Sequence, residues 1–186
     1  MIGQSALFLI VVSIVVLCLL VVAFYSLRRA RRSTEGSWES ILQRLVLVDR
    51  NGIEDIALDI IDTAGKRRTD DDSFMMEAKE IWTLVGGWKG LNALEANCLV
   101  LIDLAFYLQQ LYPEAFAVTQ QLRLSAREIE WQISRLKIAE KTGKLDGTIT
   151  MYGQHAIATY YLMTRRLLDL YAQLHSPMLP QLQKVL

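Results

Sequence analysis

No charged side chain occurs between Ile2 and Leu27, and Ala6 to Tyr25 reads ALFLIVVSIVVLCLLVVAFY. As an α-helix this run is roughly 30 Å long, the thickness of the hydrocarbon core of a bilayer. Its Val and Ile content would also suit a strand, but lipid cannot satisfy an open sheet edge, whereas a helix satisfies its own backbone. Residues 1–27 are therefore expected to form a membrane-spanning anchor. The cluster Arg28, Arg29, Arg31 and Arg32 follows at once. Positive flanks stay in the cytoplasm, so the amino end is expected outside and the remainder inside. A cleaved signal peptide would place its basic residues before the apolar core and a small-residue site after it. Here nothing basic but the terminal amine precedes the core, and Val21 and Ala23 are a poor cleavage site. Phe24 and Tyr25 suit the aromatic belt of an interface, and each arginine adds on the order of 1 kcal/mol of attraction to anionic headgroups. The first expected partner is thus the lipid bilayer.

Charge divides the chain at the same place. The 20 Lys and Arg cancel the 20 Asp and Glu overall, yet residues 1–36 carry +3 and the other 150 carry −3. A nucleic-acid binder needs a surplus of cations to release counterions, so no nucleic-acid partner is expected. Three prolines and ten glycines exclude collagen-like and Pro/Gly-rich classes. Cys18 falls within the apolar run and Cys98 far beyond it, which leaves no disulfide framework and no zinc spacing. Two unpaired thiols agree with a reducing cytosol.

Residues 28–36 read as a basic juxtamembrane linker, and residues 37–186 as a helical domain. Ser37 stands where an N-cap belongs, before Trp38, Ile41, Leu45 and Val48 at helical spacing. Asn51 and Gly52 interrupt the run. Two short helices are expected across residues 41–62, because Ile53, Ile56, Ala57 and Ile60 recur at three and four; a β-hairpin turning at Asn51-Gly52 is the alternative. TAGKRRTDDD at 63–72 is a charged loop, after which Ser73 opens a helix through Val85 that GGWKG at 86–90 ends. Three long helices follow. The first runs from Leu91 to Tyr112, the second from Glu114 to about Thr142 with Gly143 at its cap, and the third from about Thr148 to Leu174 before Pro177 and Pro180. The fold class expected is all-α, a single N-terminal transmembrane helix followed by a cytosolic antiparallel helical bundle. About 150 residues bury roughly two-thirds of their unfolded surface, enough to stand without metal or disulfide.

Chemistry-bearing motifs are scarce. LDIIDTAG at 58–65 resembles the Mg²⁺- and γ-phosphate-sensing element of small GTPases, over those eight residues only. The glycine-rich phosphate loop that such an enzyme needs occurs nowhere, and GGWKG has neither its spacing nor its hydroxyl residue. A di-iron bundle site needs Glu-x-x-His pairs, and neither His155 nor His175 has a carboxylate three residues before it. No metal or other cofactor is expected, and His175 is assigned to a helix terminus. His155 stays open as a general base without a visible partner. Asp103 stands alone in CLVLIDLAFYL. It is expected to face water beside Asn92, Ala96 and Gln110, and burial would instead demand Arg135, Arg165 or Arg166 as a partner.

Tyr152, Tyr160, Tyr161, Arg165 and Arg166 form the last candidate group. Tyrosine at helical spacing is first of all core; as a surface, this composition is that of a protein interface. The function expected is that of a membrane-anchored, non-catalytic helical scaffold, adaptor or accessory subunit, with a protein partner or a homo-oligomer. One alternative is a membrane-bound helical enzyme acting on a lipidic substrate through Asp103 or clustered carboxylates with Mg²⁺. Another is a signalling or dimerisation module.

Overall fold

In the computed structural model, residues 37–61 and 76–186 are described. The expected anchor and linker lie outside them, with Phe24, Tyr25 and the four arginines, as do the 63–72 loop and Ser73. Two compact units divide at Ser37, and the described helices belong to the second, Trp38–Leu186.

That unit is an all-helical bundle. Its α-helices are α1 (Trp38–Leu42), α2 (Arg50–Ile60), α3 (Ala78–Val85), α4 (Gly87–Leu111), α5 (Phe116–Lys141), α6 (Leu145–Thr148), α7 (Gln154–Gln173) and α8 (Leu179–Val185). The long helices α4, α5 and α7 pack on one another, and α2 lies along α7. Leu94, Leu101, Leu104 and Leu108 of α4, Leu122, Ile129, Ile133 and Leu136 of α5, and Ile157, Met163 and Leu167 of α7 are fully buried. In α4 and α5 these positions recur at three, four and seven, and in α7 Tyr160, 3% exposed, fills the interval between Ile157 and Met163 with two steps of three, which stacks them on one stripe of each helix. Among the described residues one helix, α4, is long and apolar enough to cross a bilayer by length and composition. Its place is mid-chain, and most of its apolar surface is packed inside the bundle.

Backbone chemistry sets the helix ends. Gly86 at φ 77° ends α3, its N–H bonding to the Thr83 and Trp82 carbonyls, and α4 starts at the next residue. GGWKG is therefore a corner one residue wide, not the wider break expected before Leu91. Gly90 makes the corner possible, because a Cβ there would lie 1.6 Å from the Val85 carbonyl oxygen. At the end of α5, Gly143 at φ 69° donates to Glu140 O (3.1 Å) and Lys144 to Ala139 O (2.9 Å), a Schellman cap at the glycine the sequence marks. The end of α7 repeats this motif without glycine. His175 takes φ 47°, donates to Ala172 O (3.0 Å), and Ser176 donates to Tyr171 O (3.0 Å). His175 thus sits at the expected helix terminus, and what acts there is its backbone N–H.

The first helix departs from expectation. It stops at Leu42, and Gln43 to Asp49 run irregularly before α2. Two short helices do form, one ending at Leu42 and one running Arg50–Ile60, and there is no hairpin at Asn51-Gly52, because Asp49 caps α2 by accepting from Asn51 N (3.2 Å) and Gly52 N (3.3 Å). Trp38 anchors the short α1. Its ring lies 5.7 Å from Tyr107 and 5.5 Å from Tyr171, and its Nε1 donates to Gln181 Oε1 at 2.9 Å.

Candidate functional site

The irregular segment forms one wall of a groove. The N–H groups of Gln43, Arg44 and Leu45 still bond back to the carbonyls of Glu39, Ile41 and Leu42, and beyond them the chain needs other partners for its backbone. Asn97 of α4 supplies them. Val46 N donates to Asn97 Oδ1 at 2.8 Å, and Asn97 Nδ2 donates back to Val46 O at 2.8 Å, so a buried carboxamide holds both polar groups of one residue. Asn97 Nδ2 also reaches the Tyr160 hydroxyl at 3.3 Å. Burial pushes the Tyr160 phenol up to about 12, with the Asn97 bond opposing that rise. Held in this way, the segment exposes Leu47 to 91% and Val46 to 46%, which is unusual for two large apolar neighbours.

The opposite wall is α7, and the carboxyl end of α8 closes one side. Arg50 fixes that end by donating to the carbonyls of Gln183 (3.3 Å) and Lys184 (2.7 Å), satisfying acceptors that a helix terminus leaves open. Between the walls is a cavity of about 160 Å³. Leu45, Val48, Ile53, Leu168 and Leu186 supply its apolar lining; Glu54, Tyr161, Thr164 and Arg165 supply polar groups. Tyr161 OH donates to Glu54 Oε1 at 3.1 Å and accepts from Arg165 at 3.3 Å, and the Arg165 guanidinium lies 5.6 Å from the centre of the Tyr161 ring. Desolvation and the bond to Glu54 raise the Tyr161 phenol, while Arg165 pulls it down.

The five candidate interface residues do not form a single site. Tyr160, Tyr161 and Arg165 meet at the groove, with Tyr160 buried in its floor. Arg166 is exposed on α7 without lining the groove. Tyr152 belongs to a separate aromatic pair with Trp131, ring centroids 5.5 Å apart. Asp103 is neither free in water nor paired with Arg135, Arg165 or Arg166. It is about a quarter exposed and forms an ion pair with Arg44, from the same irregular segment. His155 directs Nδ1 at the Met151 carbonyl one turn before it. Asp59 of the DTAG-like run accepts from Gln154 Nε2 (2.6 Å) and Met76 N (3.3 Å), a structural role within the bundle. Among the described residues no three His, Cys, Asp or Glu side chains gather as a metal site.

Sequence reasoning missed Leu47, Asn97 and Arg44. A faint signal existed for Asn97, the one carboxamide on the buried stripe of α4. Comparison of the chain with family models, with curated proteins and with solved structures finds no match.

Proposed function

We propose that this chain is a membrane-anchored, non-catalytic helical scaffold or accessory subunit. Residues 1–27 tether it, the arginines at 28–32 face anionic headgroups on the cytoplasmic side, and the helical domain presents its groove to a protein partner of the same membrane-associated complex. The observation that carries this reading is the pair Val46 and Leu47, held out beside a Tyr161–Arg165 rim by a dedicated carboxamide. A large apolar side chain kept in water contributes nothing to its own fold, and Tyr and Arg are the residues most enriched where partners bind. The groove suits an apolar protein segment that carries a carboxylate. Its apolar side chains would cover Val46 and Leu47, and its carboxylate would meet Arg165, which is exposed on the rim.

Affinity purification in mild detergent tests this with the full-length chain, the Leu47→Asp and Arg165→Glu variants, and a chain lacking residues 1–32. A stoichiometric membrane-protein companion is expected with the full-length chain, and it is expected to be lost with either groove variant. A lone monodisperse species from the unaltered chain would reject the accessory-subunit reading, as would a companion indifferent to both variants.

A further inference from the structure

Helix α5 carries two apolar stripes, and only one of them is buried in the bundle. Leu122, Ile129, Ile133 and Leu136 point inward and are fully buried. On the outside, Leu124, Trp131 and Ile138 follow one another at intervals of seven and are 65%, 51% and 57% exposed. Scattered exposed apolar residues are ordinary, but three large ones at seven-residue intervals line up as one ridge on the water side of the helix, the spacing of one of the two seam positions of a helix pair. The middle residue is already fixed in place. Tyr152 meets the Trp131 ring edge-on at 5.5 Å and 81°, and the Arg135 guanidinium lies 5.1 Å from its centre. Trp, Tyr and Arg are the side chains that most often dominate an interface, and a ring held before binding loses little freedom on association.

We propose that the occupant of this seam is a second copy of the chain, its α5 lying antiparallel to the first across a two-fold axis. Charge selects both partner and direction. In an antiparallel pair each seam residue faces the position three further along the heptad of its mate, so Trp131 falls opposite Ser134 of the second copy, a small residue that leaves room for the indole. The flanks then place Glu128 against Arg135 of the second copy, and Glu130 against Lys137, whose ammonium within its own copy also meets Glu95 at 3.2 Å; symmetry makes each attraction twice. In the same register Ile138 and Leu124 meet Arg127 and Lys141, whose aliphatic stems can cover them while the charges stay in water. A parallel pair would instead stack Arg127 on Arg127 and Lys141 on Lys141 at the seam. The antiparallel contact uses the same patch on both copies and therefore closes as a dimer. It shares no residue with the groove lining and stands independently of the scaffold reading.

The test is the protein mass of the full chain in mild detergent, followed over a micromolar dilution series by light scattering or sedimentation equilibrium. The expected result is a dimer that dissociates on dilution, weakened at least about tenfold by Trp131→Glu at unchanged helicity, since half of that side chain already faces water. Glu128→Arg is expected to weaken it as well, and adding Arg135→Glu in the same chain to restore it. In a parallel dimer the double variant would set Glu130 against the new Glu and Arg123 against the new Arg, so failure to recover would reject the antiparallel pairing. A monomer at every concentration, or a dimer unmoved by Trp131→Glu, would overturn the proposal outright.

Discussion

Two stretches of this domain are held in opposite ways. In α4 the backbone is one continuous helix from Gly87 to Leu111, and the side chains of Leu94, Leu101, Leu104 and Leu108 are left to serve packing alone. From Gln43 to Asp49 the backbone has no such ladder. Beyond the backbone bonds of Gln43, Arg44 and Leu45 to the end of α1, its order comes from side chains: Asn97 on Val46, Asp103 on Arg44, and its own Asp49 carboxylate on the start of α2. The first stretch resists change because many weak contacts share the load. In the second, a few polar contacts carry the shape of the groove wall, so a single replacement there should alter the groove while leaving the bundle standing.

The largest effect should come from the self-sufficient stretch. Leu101→Ala leaves a cavity at a fully buried site and is expected to remove about 3–4 kcal/mol from global unfolding, read by denaturant titration. Asn97→Ala is expected to cost less globally, about 2 kcal/mol, with a local signature. Amide exchange should accelerate at Val46 and its neighbours and hold steady in α5, and uniform acceleration would break the contrast between the two stretches. The Tyr160 phenol gives an alkaline test of the same junction. Its folded value near 12 lies above the ordinary 10.0, so the folded state holds the proton more tightly. Stability should be undiminished by this group below pH 10 and fall as pH rises from 10 towards 12, by on the order of 2 kcal/mol. Tyr160→Phe should lessen that fall without abolishing it, because burial raises Tyr171 in the same direction. Arg44→Ala breaks an ion pair whose cation is half exposed, for which thermal melts should register no more than about 1 kcal/mol. Last, His175→Gly relieves the left-handed backbone at the end of α7 and is expected to stabilise by about 0.5–1 kcal/mol; a loss would mean that the imidazole itself contributes.

The parts legible in the sequence are those governed by neighbours along the chain. Leu91 to Leu108 at three and four, Pro113 at a helix start and Gly143 in its cap are local rules, and the three long helices follow them. The continuation of α1 through Val48 fails because Leu45 and Val48 satisfy helical spacing while the backbone partner of Val46 lies 51 residues away. Asp103 illustrates the same limit: its isolation among apolar residues signals a partner, but not that Arg44, 59 residues earlier, is that partner. At the groove, the spacing of Tyr160, Tyr161 and Arg165 marks one face of one helix. The facing wall is set by tertiary contact, so Leu47 gives no sign of its exposure.

The five residues Ile149–Gly153 form a π-turn ahead of α7. Such a turn holds one more residue than an α-helix would, and each residue advances a helix by roughly 100°. Removing one amino acid here would therefore leave an ordinary α turn with Tyr160, Tyr161 and Arg165 still facing Asn97 and Glu54, whereas the same deletion in the regular part of α7 ahead of Tyr160 would swing all three by roughly 100° about its axis. The π-turn is thus a slack loop in the winding, where the chain tolerates a change of length that the helix beyond it would not.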